Sequence, residues 1–191
     1  MNVSIQRIDT LTPASDPPLE GLTFLLRDAI DDGASVGFLS ESKDETLRDY
    51  WTEVLAECAA GRRLALVASR DGMILGSVQL VMATQENAPH RAEVQRLLVH
   101  RDYRRAGLGR RLMVDIERQA LALGRTLLLL NTRSGDPPEH FYRSLGYQVV
   151  GVVPDFALNP DGSMNDTTIM YRRLTTNNDV DATSTILLTQ Y

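Results

Sequence analysis

Apolar and polar residues recur along this chain with two different periods. The alternation of apolar and polar residues over Val3 to Ile8 is typical of a half-buried strand. Spacings of three and four residues predict amphipathic helices, and in the first of these the apolar positions are Leu22, Leu25, Leu26 and Ala29. The resulting order of elements is one strand, two helices, three strands, a helix, a strand, a helix and two strands.

Turn-forming residues set the predicted boundaries. Asp71-Gly72 is a hairpin signal between two strands, and Ser42 with Glu45 has the spacing of a capping box that begins the second helix. The predicted strands are Val3 to Ile8, Leu64 to Ser69, Met73 to Met82, Ala92 to His100, Thr126 to Asn131, Tyr147 to Val153 and Thr167 to Leu174. The predicted helices run through Leu19 to Ile30, Leu47 to Ala59, Leu108 to Leu123 and Pro137 to Leu145.

This order of elements predicts an α/β (α+β) fold class. Three strands linked by hairpins form an antiparallel front half, and the β-α-β crossover that follows needs a parallel pair. We therefore expect a mixed, mostly antiparallel central sheet with helices on both faces. Residues 1–174 are predicted to form one domain, and the polar residues 175–191 a mobile tail. Leu97 and Leu98 interrupt the alternation of their strand, which predicts a bulge there.

Charge and composition exclude several classes of function. The chain has 20 basic and 25 acidic residues and a net charge of −5, whereas general binders of nucleic acids or anionic membranes are usually basic. Its single cysteine, Cys58, excludes an intramolecular disulfide and a cysteine-based zinc cluster, and His90 and His100 lack metal-ligand spacing. No apolar run approaches the ~20 residues that span a bilayer, and no signal-peptide core is visible. We expect a soluble, cytoplasmic protein without a metal, a nucleic acid or a membrane as partner.

Arginines and glycines are concentrated between the fourth predicted strand and the third predicted helix. The segment Arg104-Arg105-Ala106-Gly107-Leu108-Gly109 lies there, in a chain whose only lysine is Lys43. The first turn of a helix offers N–H groups without internal acceptors and the positive end of the helix dipole, which together suit a phosphate. The other interpretation is a glycine pair that merely opens a helix, with solvated arginines beside it.

Three kinds of phosphate loop compete for this segment. A P-loop needs a lysine after its last glycine, and the only lysine is far away, so this kind is excluded. A dinucleotide-binding loop needs a third small residue at position 112, which is leucine. The pattern Arg/Gln-x-x-Gly-x-Gly/Ala fits at every position, and it resembles the pyrophosphate loop of the GNAT acyltransferases.

Two flanking segments extend the resemblance to the GNAT family over about residues 64 to 174. They are Glu93-Val94-Gln95-Arg96-Leu97-Leu98-Val99-His100 and Phe141-Tyr142-Arg143-Ser144-Leu145-Gly146-Tyr147. Further segments resemble the tabtoxin-resistance acetyltransferase branch, which acetylates the amine of a β-lactam amino-acid toxin. These are Gly33-Ala34-Ser35-Val36-Gly37-Phe38, Ala92-Glu93-Val94-Gln95, Gly107-Leu108-Gly109-Arg110 and Ala157 to Gly162, which includes Asn159-Pro160-Asp161-Gly162.

The resemblance implies a reaction and a cofactor site. An amine attacks the thioester of acetyl-CoA directly, and the coenzyme lies between two splayed strands. Backbone amides face the pyrophosphate, arginine side chains add charge, and an amide near the bulge holds the thioester carbonyl. The implied cofactor-binding residues are Leu98, Val99, Arg104, Arg105, Ala106, Gly107, Leu108, Gly109 and Arg110.

The resemblance also implies two catalytic residues. Tyr142 lies where the family places the proton donor to the leaving thiolate; the other interpretation is a core aromatic, for which Phe141 is the better candidate. Glu93 lies where the family often places a carboxylate base; the other interpretation is an exposed glutamate paired with Arg91 or Arg96.

The acceptor is expected to be a small-molecule amine, with an amino-acid-like toxin or antibiotic as one case. Phe38 and its loop are expected to close over it, and Arg133 to reach its charged group. Asn131 stands where the tabtoxin-resistance branch has an aspartate; it cannot accept a proton, so we expect it to orient the substrate by hydrogen bonding. A non-catalytic acyl-CoA sensor of the same fold is the alternative function. A homodimer is expected because paired GNAT domains are frequent.

Overall fold

The computed structural model describes residues 3–8 and 17–175, which form seven strands and four α-helices. The strands are β1 (Ser4–Arg7), β2 (Arg63–Arg70), β3 (Met73–Met82), β4 (Arg91–Val99), β5 (Leu127–Arg133), β6 (Gln148–Leu158) and β7 (Met164–Arg173). The helices are α1 (Pro17–Asp31), α2 (Asp44–Ala59), α3 (Leu108–Ala122) and α4 (Pro137–Ser144), with a 3₁₀ turn at Arg101–Tyr103. The predicted tail lies outside the described residues from position 176 onward.

One sheet holds all seven strands, in the order β1-β2-β3-β4-β5-β7-β6. Every neighbouring pair is antiparallel except β4 and β5, which run parallel. The parallel pairing covers three residue pairs and ends at Glu93 opposite Leu129. Beyond that point β5 stays paired with β7, whereas β4 stays paired with β3, so the two strands separate. The predicted fold class and the splayed strand pair are confirmed.

The alternation of strand side chains divides the core into two clusters on opposite faces of the sheet. In β2, Leu64 and Leu66 belong to the cluster that contains α3, whereas Ala65 and Val67 belong to the cluster that contains α1 and α2. Successive strand side chains point to opposite faces, so the helices cover both sides, as expected. Trp51 of α2 is fully buried in the second cluster.

The predicted bulge in β4 lies one residue earlier than expected. Gln95 pairs with Gln79 and Leu98 with Ser77, so β4 has three residue steps where β3 has two. Arg96 takes up the extra residue with a φ of +49°. As a result, Leu97 packs on the α3 side and Leu98 on the side of α1 and α2.

The predicted capping box at the start of α2 is wrong. The α2 helix begins at Asp44 with Lys43 as its N-cap and no side-chain cap, so Ser42 and Glu45 do not form a capping box. The Ser42 hydroxyl instead accepts the N–H of Leu39 at 3.1 Å, which ties it to the preceding loop.

The last hairpin is also longer than predicted, because pairing between β6 and β7 resumes after an irregularity. The register shifts between Val153 and Ala157, where Asp155 has a φ of +49°. The pairing then continues to Leu158 opposite Met164.

Within the two described stretches of chain, no helix combines the length and apolar character needed to cross a membrane. The same residues contain no cluster of three or more His, Cys, Asp or Glu side chains suited to a metal ion.

Candidate active site

The separation of β4 and β5 brings Glu93 and Asn131 together. Ala92 and Val94 belong to the α3 cluster, so Glu93 between them faces the other side of the sheet. Leu128 and Leu130 place Asn131 on that same side by the same alternation. The Asn131 Nδ2 lies 3.5 Å from Glu93 Oε1, at the outer limit of a hydrogen bond.

Glu93 has no basic partner in the described part of the chain. Arg91 donates to Gln85 Oε1 at 3.0 Å instead, and Arg96 lies over aromatic rings. The interpretation of Glu93 as half of a surface ion pair therefore finds no support. Its half-buried carboxylate is left to act on something other than a protein cation.

The start of α3 lies beside the end of β4. Gly107 is the N-cap residue with a φ of +81°, and the first helical hydrogen bond runs from the Arg111 N–H to the Gly107 carbonyl at 3.1 Å. The N–H groups of residues 108–110 consequently have no acceptor inside the helix. A Cβ on Gly109 would lie 3.7 Å from side-chain atoms of both Val99 and Phe141, which places this turn against β4 and α4.

The backbone of this turn is open to a ligand. A Cβ on Gly107 would meet nothing within 4 Å, so the backbone is open to a ligand from that side. Arg105 has a φ of +59°, and the left-handed residues at 105 and 107 turn the chain sharply before the helix. Free N–H groups and the positive end of a 15-residue helix together favour an anion at this place.

The arginines around this turn differ in their availability. Arg104 donates through Nε to the Val99 carbonyl at 2.9 Å and pairs with Asp32 of the α1–α2 connection. The hydrogen bond from Arg104 holds the pKa of the Asp32 carboxyl below its ordinary value. Arg110 donates to the Ser144 hydroxyl at 2.9 Å. Arg105 is exposed and makes no hydrogen bond or ion pair with the described residues, so its charge is free for a ligand.

Tyr142 is buried between α4, α3 and the sheet. Its ring centroid lies 5.5 Å from that of Phe141 and 5.8 Å from that of Tyr147. Burial raises the pKa of the Tyr142 hydroxyl above its ordinary value, so this group stays protonated. Tyr142 is more buried than Phe141, contrary to the expectation that Phe141 is the core member of the pair.

The loop between α1 and α2 packs against β4 and against the β6–β7 turn. The Phe38 ring meets the Tyr50 ring edge-on with centroids 5.5 Å apart. The Ser40 N–H and the Ser40 hydroxyl both donate to the Pro160 carbonyl at 2.9 Å. The Ser35 hydroxyl donates to the Leu158 carbonyl at 3.4 Å, so two segments that carry the resemblance to the tabtoxin-resistance branch are neighbours in space.

Arg133 joins three loops at this end of the sheet. Its Nε donates to Asp136 Oδ2 at 2.5 Å, and its Nη1 donates to the Gly33 carbonyl at 3.2 Å and to Asn159 Oδ1 at 2.8 Å. These protein acceptors give Arg133 a structural role. Its predicted contact with a substrate stays a prediction.

Sequence reasoning missed the environment of Arg96. The guanidinium carbon lies 5.3 Å from the Tyr50 ring centroid and 5.9 Å from that of Phe38. No sequence pattern links these residues, because they come from a bulge, a helix and a loop that meet only in the folded chain. The interrupted alternation in β4 indicated the bulge but not which side chain it would redirect.

Comparison with known proteins agrees with this architecture. A family model described as acetyltransferase (GNAT) domain matches residues 61–149. An uncharacterized N-acetyltransferase of Azospirillum brasilense, encoded in the hisH-hisA intergenic region, is 34% identical over 134 residues, which cover 69% of this chain and 76% of that protein. An amino-acid acetyltransferase of Azotobacter vinelandii is 37% identical over 87 residues, 45% of this chain but 18% of that longer protein.

A solved structure shows the same fold. The yncA protein of Salmonella typhimurium, solved with its cofactor acetyl-CoA, superposes with a TM-score of 0.71 at 20% identity, covering 93% of this chain and 96% of that one. The two proteins therefore share their overall fold. This chain belongs to the GNAT family of acetyltransferases, and its acetyl donor is acetyl-CoA.

Proposed function

We propose that this acetyltransferase acts on the amine of a small, amino-acid-like molecule, which attacks the acetyl group directly. The observation that carries the proposal is the carboxylate of Glu93, unpaired with any cation of the described chain at the point where β4 and β5 separate. A protonated amine is the natural partner of such a group. The Azotobacter vinelandii relative, an amino-acid acetyltransferase, supports this acceptor class.

A toxin or antibiotic of amino-acid type is the narrower form of this proposal. It rests on the resemblance to the tabtoxin-resistance branch and on the contact between Ser35 and Leu158, which joins two of the similar segments. Asn131 replaces the aspartate of that branch, so a base made of two carboxylates does not extend to this chain. Acetylation of an amino-acid toxin or antibiotic would place this chain in the tabtoxin-resistance branch.

The proposed reaction balances with two proton transfers. Acetyl-CoA supplies an acetyl thioester; a carbon–nitrogen bond forms to the acceptor amine, and the carbon–sulfur bond breaks. A protonated acceptor loses two protons from its nitrogen: Glu93 accepts the first and releases it to solvent, and the second replaces the proton that Tyr142 gives to the sulfur. Asn131 orients the acceptor or the carboxylate itself. Tyr142 supplies the proton that the sulfur gains, which the raised pKa of its hydroxyl permits at neutral pH.

We propose that the cofactor is held mainly by backbone groups. The N–H groups of residues 105–110 face the pyrophosphate, and Arg105 adds a free positive charge. An N–H of Leu98 or Val99, next to the β4 bulge, holds the thioester carbonyl. Arg104 contributes by holding the loop, since its guanidinium already binds Val99 and Asp32.

A thiol-release assay over a panel of amines tests this function, alongside calorimetry with acetyl-CoA. We expect acetyl-CoA to bind and thiol release to require an amine. Binding without turnover of any amine would support the alternative, a non-catalytic acyl-CoA sensor. Salt-sensitive RNA binding without affinity for coenzyme A would support a nucleic-acid function instead.

The single domain over residues 1–174 and the homodimer remain proposals, which limited proteolysis and light scattering can test.

A further inference from the structure

Arg96 has an unusual environment for an arginine in this molecule. Its guanidinium lies over the rings of both Phe38 and Tyr50, with the carbon 5.9 and 5.3 Å from their centroids. Gly37 passes close by: a Cβ there would lie 2.8 Å from Arg96 Nη2. The loop, α2 and the β4 bulge thus hold this side chain in one place.

The positive charge of Arg96 is not neutralised by any carboxylate of the described chain. Its Nε is buried and has no hydrogen-bond partner among those residues. Nearby arginines are paired: Arg27 with Asp44, Arg101 with Asp28 and Arg133 with Asp136. A partly buried cation without an anionic partner is unfavourable, and the ring faces compensate only in part.

The position of Arg96 relative to Glu93 suggests what completes the site. Both lie on β4 at the separation from β5, and both face the side of the sheet that carries α1 and α2, since Phe38 and Tyr50 pack on that side. Residues 93 and 96 are three positions apart, which corresponds to about 10 Å between Cα atoms in a regular strand. Both side chains are long enough to reach into the space between them. A molecule with an amine at Glu93 therefore has its other end near Arg96.

We propose that Arg96 binds a carboxylate of the acceptor, so that the substrate class is an amine that also carries a carboxylate, such as an amino acid. This inference rests on the proposed function and assigns the specificity of the same site. A planar guanidinium is the side chain best suited to a carboxylate, because its terminal N–H groups match the two oxygens. Arg133, the arginine predicted for this role, already has three protein acceptors.

The test compares amino acids with their primary amides as acceptors at saturating acetyl-CoA. We expect the native enzyme to prefer the acids over the amides by about tenfold or more in kcat/KM. Arg96→Gln is expected to lower kcat/KM for the acids about 10- to 100-fold and to leave the amides nearly unchanged, which removes the preference. Arg96→Lys keeps the charge without the planar geometry and should retain part of the preference.

Two controls separate recognition from other effects. Arg118→Gln removes an arginine of α3 that pairs with Asp115, away from the separated strands, and should behave like the native protein. Calorimetry should give the same acetyl-CoA affinity for all variants. A preference near one in the native enzyme, a preference that survives Arg96→Gln, or a loss of acetyl-CoA affinity in Arg96→Gln would overturn the inference.

A binding measurement distinguishes this inference from the proposed function. The protein loaded with coenzyme A is titrated with N-acetyl amino acids and with their amides, which needs no turnover. Arg96-dependent binding of the acids without turnover of any amine would leave the carboxylate site standing and refute the catalytic proposal. Turnover of amines together with equal binding of acids and amides would support the catalytic proposal and refute the carboxylate site at Arg96.

Discussion

The side-chain amide of Asn131 lies 3.5 Å from the carboxylate of Glu93, across the point where β4 and β5 separate. An amide at this distance can donate to the carboxylate but cannot compete with it for a proton. The proposed site therefore has one proton acceptor, Glu93, beside an amide that can orient it. This arrangement leads directly to the first two predictions.

Replacement of the proposed base should remove most of the activity. We expect Glu93→Gln to lower kcat/KM about 10²- to 10⁴-fold, because the amine must then lose its proton without a positioned acceptor. Acetyl-CoA affinity should not change, since the phosphate-binding turn of α3 is intact. Glu86→Gln, on the exposed loop before β4, is the matched control. An activity loss below about threefold would exclude Glu93 as the base.

Asn131→Asp should change the pH dependence rather than abolish the reaction. A second carboxylate at this distance disfavours simultaneous ionisation of both groups. A base must be ionised to accept a proton, so the rise of kcat/KM with pH should move to higher pH. The measurement is the pH profile of kcat/KM for native protein and variant. An unmoved profile would mean that the group at position 93 does not control the reaction.

Tyr142→Phe should lower kcat about 100-fold while the acetyl-CoA dissociation constant stays the same. Tyr147→Phe is the matched control, because Tyr147 is also buried and burial likewise raises the pKa of its hydroxyl. The raised pKa of Tyr142 keeps the donor protonated, so kcat of the native enzyme should not fall up to about pH 10, the ordinary tyrosine pKa. Equal losses in both variants would indicate a packing effect instead.

Arg104→Gln and Arg105→Gln should have different effects although the residues are adjacent. Arg105 has no partner in the described chain, so its loss should weaken acetyl-CoA binding about fivefold without lowering Tm. Arg104 binds Val99 and Asp32, so its loss should cost about 1 kcal/mol of unfolding free energy. Calorimetry with acetyl-CoA and thermal unfolding measure the two effects.

The stability effect of Arg104→Gln should depend on pH. Asp32 has a pKa below its ordinary value in the folded protein, because Arg104 donates a hydrogen bond to it. The stabilisation is then present above the unfolded-state pKa of about 4 and is lost as the pH falls through the folded-state value. The difference in Tm between variant and native protein should shrink toward acid pH. A constant difference would assign the effect to the Val99 hydrogen bond alone.

Local patterns account for the parts of the fold that the sequence predicted well. The hairpin at Asp71-Gly72 forms because both residues adopt the positive φ that its turn needs, +52° and +80°. The α3 helix starts directly after Gly107, where the glycine pattern predicted the start of a helix. The positions of Glu93 and Asn131 on the splayed strands also followed from the sequence, through the resemblance to a known family.

The sequence by itself determined the order of elements, the hairpin at Asp71-Gly72 and the glycine turn that precedes α3. Periodicity and turn chemistry act between near neighbours in the chain, so a single sequence displays them. Only the tertiary structure decided which arginines are free: Arg104 and Arg133 find acceptors on distant loops, whereas Arg105 does not. It also decided that Arg96 lies over the rings of Phe38 and Tyr50, because contacts between distant segments depend on how the sheet and helices pack.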